Sequence, residues 1–429
     1  MDKRKSRKKK PESLCLMKFR SLPKTGKPTP TEWTVLAGVV QYDSATETSK
    51  VVALGAGTKC IGQKKLCAQG LILNDSHAEV LARRALLRYL YRELRRASQE
   101  EWAGNLFQFK PEQQVFAMHK NITFHFFSTQ MPCGDACILA TGENKIEQQL
   151  KIAENTTELP YKRRKLEDDA NLNCAYDFQS CRETVFTGAK LLGDDHVDTM
   201  QQTLGAVRIK PGRGDRTLTV SCSDKLAKWQ LLGVQGAILD AVLEQPIYMK
   251  SLNFCCLGSS AAIERAVYKR WAGKQLKQVR FPGLKPQIRF TLKQKFEFQQ
   301  AAERQPSPNG LVWCDIEEEL KPYEISVNGK RQGVTAKKLH TPQAALKISK
   351  YSLLQEFINL LQLNETFRKK FSLLDVELAE VSYAQFKNLA TTYQAAWLEA
   401  KETYFEQWTQ KPKQLLYFSI KQVKSSKKG

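Results

Sequence analysis

LNDSHAE, Leu73–Glu79, runs without a break into VLARRALLRYLYRELRRA, Val80–Ala97. Val80, Leu87 and Leu94 recur every seven residues, and Leu90 and Tyr91 complete the same stripe. That period predicts an amphipathic helix from Ala78 to Ala97, with His77 and Glu79 at its start. Working outward, TEWTVLAGVVQY (Thr31–Tyr42) and Val51–Leu54 have the β-branched and aromatic content of strands, the second closed by GAGTKC at Gly55–Cys60. Val115–Phe127, containing NITFHFFS, reads as a buried strand, TLTVSC (Thr217–Cys222) as a strand leading into a helix from about Asp224 to Leu243, and Ile247–Leu257 as another buried strand. ERQPSPNG at 303–310 is a turn-rich break, and Lys347–Leu363 and Tyr383–Trp408 carry helical patterns. No internal repeat is present. This alternation predicts one layered α/β domain with a helical C-terminal portion.

The chain has 429 residues and a formal net charge of +23. No run approaches the ~18 uninterrupted apolar residues of a membrane span. The basic start, MDKRKSRKKK, has no apolar segment after it and is not a signal peptide. Eleven irregularly spaced cysteines argue for reduced thiols in a soluble intracellular protein, nuclear or cytoplasmic. Residues 1–10 hold seven Lys/Arg and one Asp, leaving +17 on the remainder, and a folded body so basic points to a polyanionic partner, most simply nucleic acid. No basic amphipathic helix or lipidation motif supports a membrane partner. The expected organisation is a disordered basic arm at 1–12, a leader loop at 13–28, a single catalytic α/β domain at 29–420 and a basic tail at 421–429. Residues 143–182, poor in apolar residues and containing KRRK at Lys162–Lys165, read as a mobile insertion, the KRRK run serving nuclear import or simply being solvated.

Three short motifs carry chemistry: NDSHAE (Asn74–Glu79), MPCGDAC (Met131–Cys137) and SCSDK (Ser221–Lys225), each at a strand-to-helix junction, where α/β folds place their sites. H-x-E followed by P-C is the signature of zinc-dependent nucleobase deaminases. A neutral imidazole and two thiolates hold the metal and leave a fourth position to water, whose pKa falls towards ~7. The Glu must lie beside that water without binding metal, so that it can carry protons. His77 and Cys133 are thus ligand candidates and Glu79 the proton carrier. The usual second cysteine follows as P-C-x-x-C, whereas Cys137 lies one residue beyond that spacing, so Cys222 is the preferred third ligand.

In this order GTKC (Gly57–Cys60), LNDSHAE, PCGDA and SCSDK resemble the editase domain of adenosine deaminases acting on RNA, over roughly residues 29–420. The resemblance implies a cytidine-deaminase-like α/β/α fold and zinc-dependent hydrolytic deamination of adenosine to inosine. In the family the third zinc ligand is the cysteine of SCSDK. The double-stranded-RNA editors carry RNA-binding modules upstream, for which about 30 residues are too few, and KPGRGDRT (Lys210–Thr217) resembles the branch consisting essentially of the catalytic domain. The implied partner is the anticodon loop of tRNA, with the target adenosine next to the anticodon of tRNA-Ala, and no DNA partner. Thr58 and Lys59 would contact the flipped nucleotide. The flipping loop should lie in TGAK, Thr187–Lys190, which lacks the glutamate of the double-stranded-RNA editors and so favours a base already looped out. Competing readings are editing of other structured RNA, a non-catalytic RNA-binding protein, and a small-nucleoside or cytosine deaminase.

Arg83 and Arg84 fall on the apolar stripe of the Ala78–Ala97 helix, where an unpaired charge costs several kcal/mol, and few acidic residues are placed to pair with them. Lys225, Lys228 and Trp229 after Cys222, and Tyr383, Lys387, Tyr393, Trp397, Trp408 and Lys411 near the C-terminus, mix cations with aromatics. Such an interior either encloses a highly charged anion or lets these side chains reach outward to water or RNA phosphates. Editase domains enclose inositol hexakisphosphate, and the resemblance assigns its contacts to Asn74, Arg83, Arg84, Lys225, Lys228, Trp229, Lys347, Tyr383, Lys387, Tyr393, Gln394, Trp408 and Lys411.

Overall fold

The apolar runs assemble into a central mixed sheet in the computed structural model, which describes residues 10–99, 106–138, 190–191, 203–211 and 215–425. The strands used below are β1 (Leu36–Asp43), β2 (Thr48–Ala56), β3 (Thr58–Cys60), β4 (Asp75–His77), β5 (Ile122–Ser128), β6 (Met249–Phe254), β7 (Gln287–Phe290), β8 (Asn309–Cys314), β9 (Tyr323–Val327) and β10 (Lys330–Arg331). The helices are α1 (Pro11–Ser21), α2 (Ala78–Ala97), α3 (Cys222–Leu232), α4 (Gly236–Asp240), α5 (Lys350–Leu363), α6 (Tyr383–Asn388), α7 (Thr391–Thr403) and α8 (Ile420–Ser425). Eight strands form the sheet in the order β7-β6-β5-β1-β2-β8-β9-β10, and β3 pairs with β4 in a separate ribbon. β5, β6 and β7 are parallel, while every other neighbouring pair in the sheet is antiparallel.

Both faces of the sheet are covered. Val39, Val52, Phe124 and Phe126 pack with Leu81, Leu86 and Leu90 of α2, whereas Leu36, Val40, Leu54 and Phe127 pack with Cys15, Leu16 and Phe19 of α1. A face that buries side chains on each side explains why these strands read as continuous apolar runs rather than alternating ones. The result is the expected layered α/β arrangement. α5 lies along α2, with Tyr91 and Phe357 in edge contact at 6.4 Å, and Phe357 meets Phe386 of α6 at 5.4 Å. A further cluster joins Leu231 of α3 to Tyr393 and Ala396 of α7. The C-terminal helices therefore pack along α2 and over α3.

Several boundaries differ from the sequence reading. Residues expected as a leader loop at 13–28 begin inside helix α1, started by Pro11 at its first position, where a missing N–H costs nothing. Residues 421–425 continue helix α8, with Val423 buried, rather than forming a tail. TLTVSC makes a single bridge, Val220 to Ile209, because its residues turn into the N-terminus of α3. The helix expected from Asp224 to Leu243 starts at Cys222 and breaks at Gly233 (φ 82°), and the one expected over Tyr383–Trp408 is two helices. The sheet also runs on after the 303–310 break into β8–β10, an extension with no counterpart in the sequence reading. Residues 1–9, the 143–182 insertion, Thr187–Lys190 up to residue 189, and 426–429 lie outside the described residues.

Phe19 is fully buried, with Phe296 and Phe298 at ring-centroid distances of 5.4 and 6.1 Å. Phe19→Ala is expected to lower unfolding free energy by about 3–5 kcal/mol in urea titrations, the usual cost of an emptied aromatic site. A leader segment would lose less than about 0.5 kcal/mol.

Candidate functional site

Short antiparallel pairing sets the first motif. β4 pairs with β3 so that Thr58 lies opposite His77 and Lys59 opposite Ser76. His77 is the N-cap of α2, and its N–H donates to Asp75 Oδ1 at 2.9 Å. Glu79, in the helix's first turn, is 3% exposed. Burial pushes its carboxyl up, with His77 and Lys210 opposing.

The second and third motifs meet through a glycine. Cys133 follows β5, and Cys222 opens α3 behind the N-cap Ser221, whose hydroxyl accepts from the Asp224 N–H. Gly134 has φ 105°, and a Cβ there would lie 2.2 Å from Ser221 Oγ. Only glycine permits both that conformation and that approach. Asp135 and Asp224, both fully buried, are held by arginines from a later segment: Arg265 reaches Asp135 at 3.2 Å and Arg270 reaches Asp224 at 2.6 Å. The Cys222 N–H consequently points at Cys133 Sγ, 3.4 Å away.

His77 Nδ1 lies 3.9 Å from Cys133 Sγ and 3.8 Å from Cys222 Sγ, and the three ligand atoms all fall within 4.8 Å of one another. Donors on a tetrahedral zinc, with bonds of ~2.0 Å to nitrogen and ~2.3 Å to sulfur, stand roughly 3.5–3.8 Å apart. One imidazole and two thiols at this spacing fit such an ion. The hydrogen bond from Cys222, with Lys210 and His77 nearby, holds the Cys133 thiol well below its usual range despite burial. Cys137 is turned away, its thiol donating to Pro132 O at 3.3 Å.

Behind this cluster stands Lys210, which is 1% exposed. Its Nζ contacts Cys222 Sγ at 3.1 Å and Asp75 Oδ2 at 2.8 Å, and the same Asp75 oxygen accepts from Lys225 Nζ. Burial pushes the Asp75 carboxyl up, but Lys210, Lys225 and His77 outweigh it and hold the group well below the carboxylate range. Sequence reasoning missed both partners. Asp75 sits inside a motif that was quoted, but nothing in its spacing shows which cations it meets; Lys210 opens KPGRGDRT and carries no periodic signal at all.

Lys225 also faces a cavity of about 290 Å³. Arg83, Arg84, Lys225, Lys228, Lys350, Lys387 and Lys411 line it, against the single carboxylate of Asp75. Asn74, Trp229, Tyr383, Tyr393, Gln394, Trp397 and Trp408 complete the wall. Of the residues assigned to an anion, Lys347 alone lies elsewhere. It precedes α5 and pairs with Glu319 at 2.7 Å, and Lys350, three residues on, takes the place in the cavity wall. Neither Arg83 nor Arg84 forms an ion pair among the described residues. Their Nε atoms donate to Val234 O at 2.8 Å and Ile348 O at 2.6 Å, and one buried terminal nitrogen of Arg84 has no partner. Burial, reinforced by neighbouring cations, pushes Lys411 down to about 8 and Lys350 to about 7. Lys228, 3.3 Å from the centre of the Trp397 ring, is held well below its usual range by burial, Lys387 and Arg83.

The sequence profile of the adenosine-deaminase (editase) domain matches residues 53–412. The tRNA-specific adenosine deaminase 1 of Drosophila melanogaster is 50% identical over 407 residues, covering 95% of each chain. Its Homo sapiens namesake is 32% identical, covering 91% of this chain and 95% of its own. The Drosophila melanogaster double-stranded RNA-specific editase Adar is 30% identical over a shorter stretch, 55% of this chain and 31% of its own. With a profile match over most of its length and half its residues shared with a full-length relative, the chain belongs to the adenosine-deaminase (editase) domain family.

Proposed function

We propose that the chain is a zinc-dependent hydrolase that converts adenosine to inosine in tRNA, at the base next to the anticodon. The observation that carries this reading is the convergence of His77, Cys133 and Cys222 beside a buried Glu79 that is no part of the ligand triangle. His77, Cys133 and Cys222 would hold zinc. When bound, zinc lowers the pKa of a water molecule and so makes hydroxide available at neutral pH. Glu79 receives that water's proton, delivers it to N1 of the adenine ring, and returns a proton to the departing amine, so that adenosine and water give inosine and ammonia. Lys210 and Asp75 fix the rear of the site, and Gly134 with Ser221 fixes the two thiols. Thr58, whose buried hydroxyl has no partner and whose strand lies against His77, binds the flipped nucleotide together with Lys59. A tRNA anticodon loop supplies a base with little stacking to lose. The similarity to tRNA-specific deaminases over nearly the full length supports tRNA over duplex RNA.

The cation-lined cavity takes inositol hexakisphosphate as a structural component. Seven cations facing one engaged carboxylate, with an unpartnered Arg84 nitrogen among them, call for a buried polyanion.

Glu79→Gln is expected to keep near-stoichiometric zinc by elemental analysis while inosine formation in tRNA-Ala falls at least ~100-fold, the low end for loss of a general acid–base group. Residual activity near that of the unmodified chain would remove Glu79 from its role.

Cys222→Ser should lower zinc occupancy, because a hard hydroxyl replaces a soft thiolate, whereas Cys137→Ser should leave it full. The reverse result would reassign the third ligand.

Denaturing the purified protein should release inositol hexakisphosphate, detectable by mass spectrometry. Arg84→Ala or Lys387→Ala should lower the melting temperature, since an anion bound only to the native state adds about 4 kcal/mol at a thousandfold excess over Kd. Absence of any inositol phosphate, with normal melting of Arg84→Ala, would exclude a buried anion.

A further inference from the structure

A second basic concavity adjoins the cation-lined cavity, the two sharing Ile72 in their walls. It is an open groove of about 950 Å³. One wall is the turn Gln63–Lys65 and the other is the β9–β10 hairpin with the segment that follows it. Lys64 and Lys65 project from the first wall, Lys330 and Arg331 from the second, and His340 closes one end. No carboxylate lines it, and none of these four cations forms an ion pair among the described residues. Arg88, Arg92 and Arg96, by contrast, each form an ion pair with Glu318 or Glu319 of the turn after β8. Four unpaired cations converging from two separate segments on one groove are arranged for an anion that is itself extended.

Each wall is anchored to a neighbouring segment, the first to the chain before TLTVSC and the second to the chain that leads into β4. The Lys64 N–H donates to Asp215 Oδ2 at 2.9 Å and the Gln63 N–H to Arg216 O at 2.8 Å, which pins the turn. On the facing side the Leu73 N–H donates to Gly329 O at 2.9 Å. Gly329 has φ 77°, and a Cβ there would lie 2.3 Å from Leu73 O, so the hairpin tip rests directly on the chain that leads into Asp75–His77. The groove opens beside the cleft lined by Lys59, Cys60 and Ser76, the two sharing Asn328 in their walls. Basic side chains are therefore held at a set distance from the nucleotide that Thr58 and Lys59 would contact.

We propose that this groove binds the sugar–phosphate backbone of the RNA substrate where it leads away from the flipped adenosine, Lys64 and Lys65 contacting phosphates from one wall and Lys330 and Arg331 from the other. The proposal rests on the reading of the chain as an RNA deaminase. Its chemistry is sequence-independent: ammonium and guanidinium groups release counterions from phosphates, so the groove sets affinity and register while the pocket at Glu79 sets the reaction.

The test uses the full chain with Lys64→Ala/Lys65→Ala, Lys330→Ala/Arg331→Ala, and a charge-matched control, Lys293→Ala/Lys295→Ala. The control residues are exposed and follow β7, at the opposite edge of the sheet. Binding of a tRNA-Ala transcript is followed by fluorescence anisotropy across a salt series, and inosine formation is measured under steady-state conditions. Each groove variant should raise Kd and KM about tenfold and leave kcat unchanged at saturating tRNA. The slope of log affinity against log salt should fall by about two, one for each cation removed. The control should stay within about twofold. Unchanged Kd and slope in both groove variants, or an equal loss in the control, overturns the groove as an RNA site. So does retention of tRNA affinity with loss of affinity for poly-glutamate, which would assign the groove to an acidic protein. If the unmodified chain makes no inosine in any RNA while the groove variants still lose tRNA binding, the deaminase reading fails and the groove stands.

Discussion

One carboxylate oxygen joins the two halves of this molecule. Asp75 Oδ2 accepts from both Lys210 and Lys225, and Lys210 also touches the sulfur of Cys222. A buried ammonium at 1% exposure survives only because both of its neighbours carry or share negative charge. Around that point everything else is placed: β4 ends two residues later at His77, α2 begins, and α3 must bring Cys222 and Lys225 to opposite ends of the same interaction. Removing one partner from such a set leaves an uncompensated charge in a dry interior, which typically costs 3–5 kcal/mol. The ligand triangle and the cation-lined cavity are thus parts of one electrostatic unit, although no single side chain belongs to both.

The arginines of α2 show how that unit differs from ordinary salt-bridge packing. Arg88 and Arg92 lie on the same helix as Arg83 and Arg84, and both pairs are largely enclosed. Arg92 meets Glu93 at 3.0 Å and the Asp315 carbonyl at 2.8 Å, and Arg88 meets Glu319. Glu93 belongs to α2 itself, whereas Glu319 comes from the 316–319 turn after β8, which crosses the far half of the helix. Over the first half, α6, α7 and the start of α5 bring Lys350, Lys387 and further aromatic rings instead. Two turns of one helix thus follow opposite rules, and the difference lies in what the tertiary structure lays over each.

What was legible in the sequence follows from how local its cause is. The α2 helix, the three junction motifs and the choice of Cys222 over Cys137 depend on periodicity and spacing within short windows, and those windows carry them. Arg83 and Arg84 of α2 were legible because a charge on an apolar stripe is a local contradiction, whereas Lys225 and Lys228 of α3 were placed through the family resemblance. Other features have no local cause. Helix α1 has almost no amphipathic stripe and a basic flank, and Cys15 and Phe19 become core only because the sheet presents Leu36, Val40 and Phe127 to them. Lys347 and Lys350 flank the N-cap Ser349, and the three-residue step between them decides which one points inward. Lys210 and the β9–β10 hairpin acquire their roles from partners more than ten residues away, Cys222 and Asp75 for the one and Leu73 for the other.

The net charge of +23 then separates into populations with different physics. In the cavity Arg83, Arg84, Lys228, Lys350 and Lys387 are largely withdrawn from water, which pushes their pKa values down and leaves their mutual repulsion poorly screened. Lys64, Lys65 and Arg331 are exposed, so their interactions respond to salt over a Debye length of ~10 Å at 0.1 M. The two sets meet at Ile72, which lines both the groove and the cavity. A basic protein that simply attracted RNA could spread its charge anywhere. Here the exposed cations gather where the hairpin rests on Leu73 and the largely buried ones around Asp75, so both sets are positioned by the short segment that leads into His77.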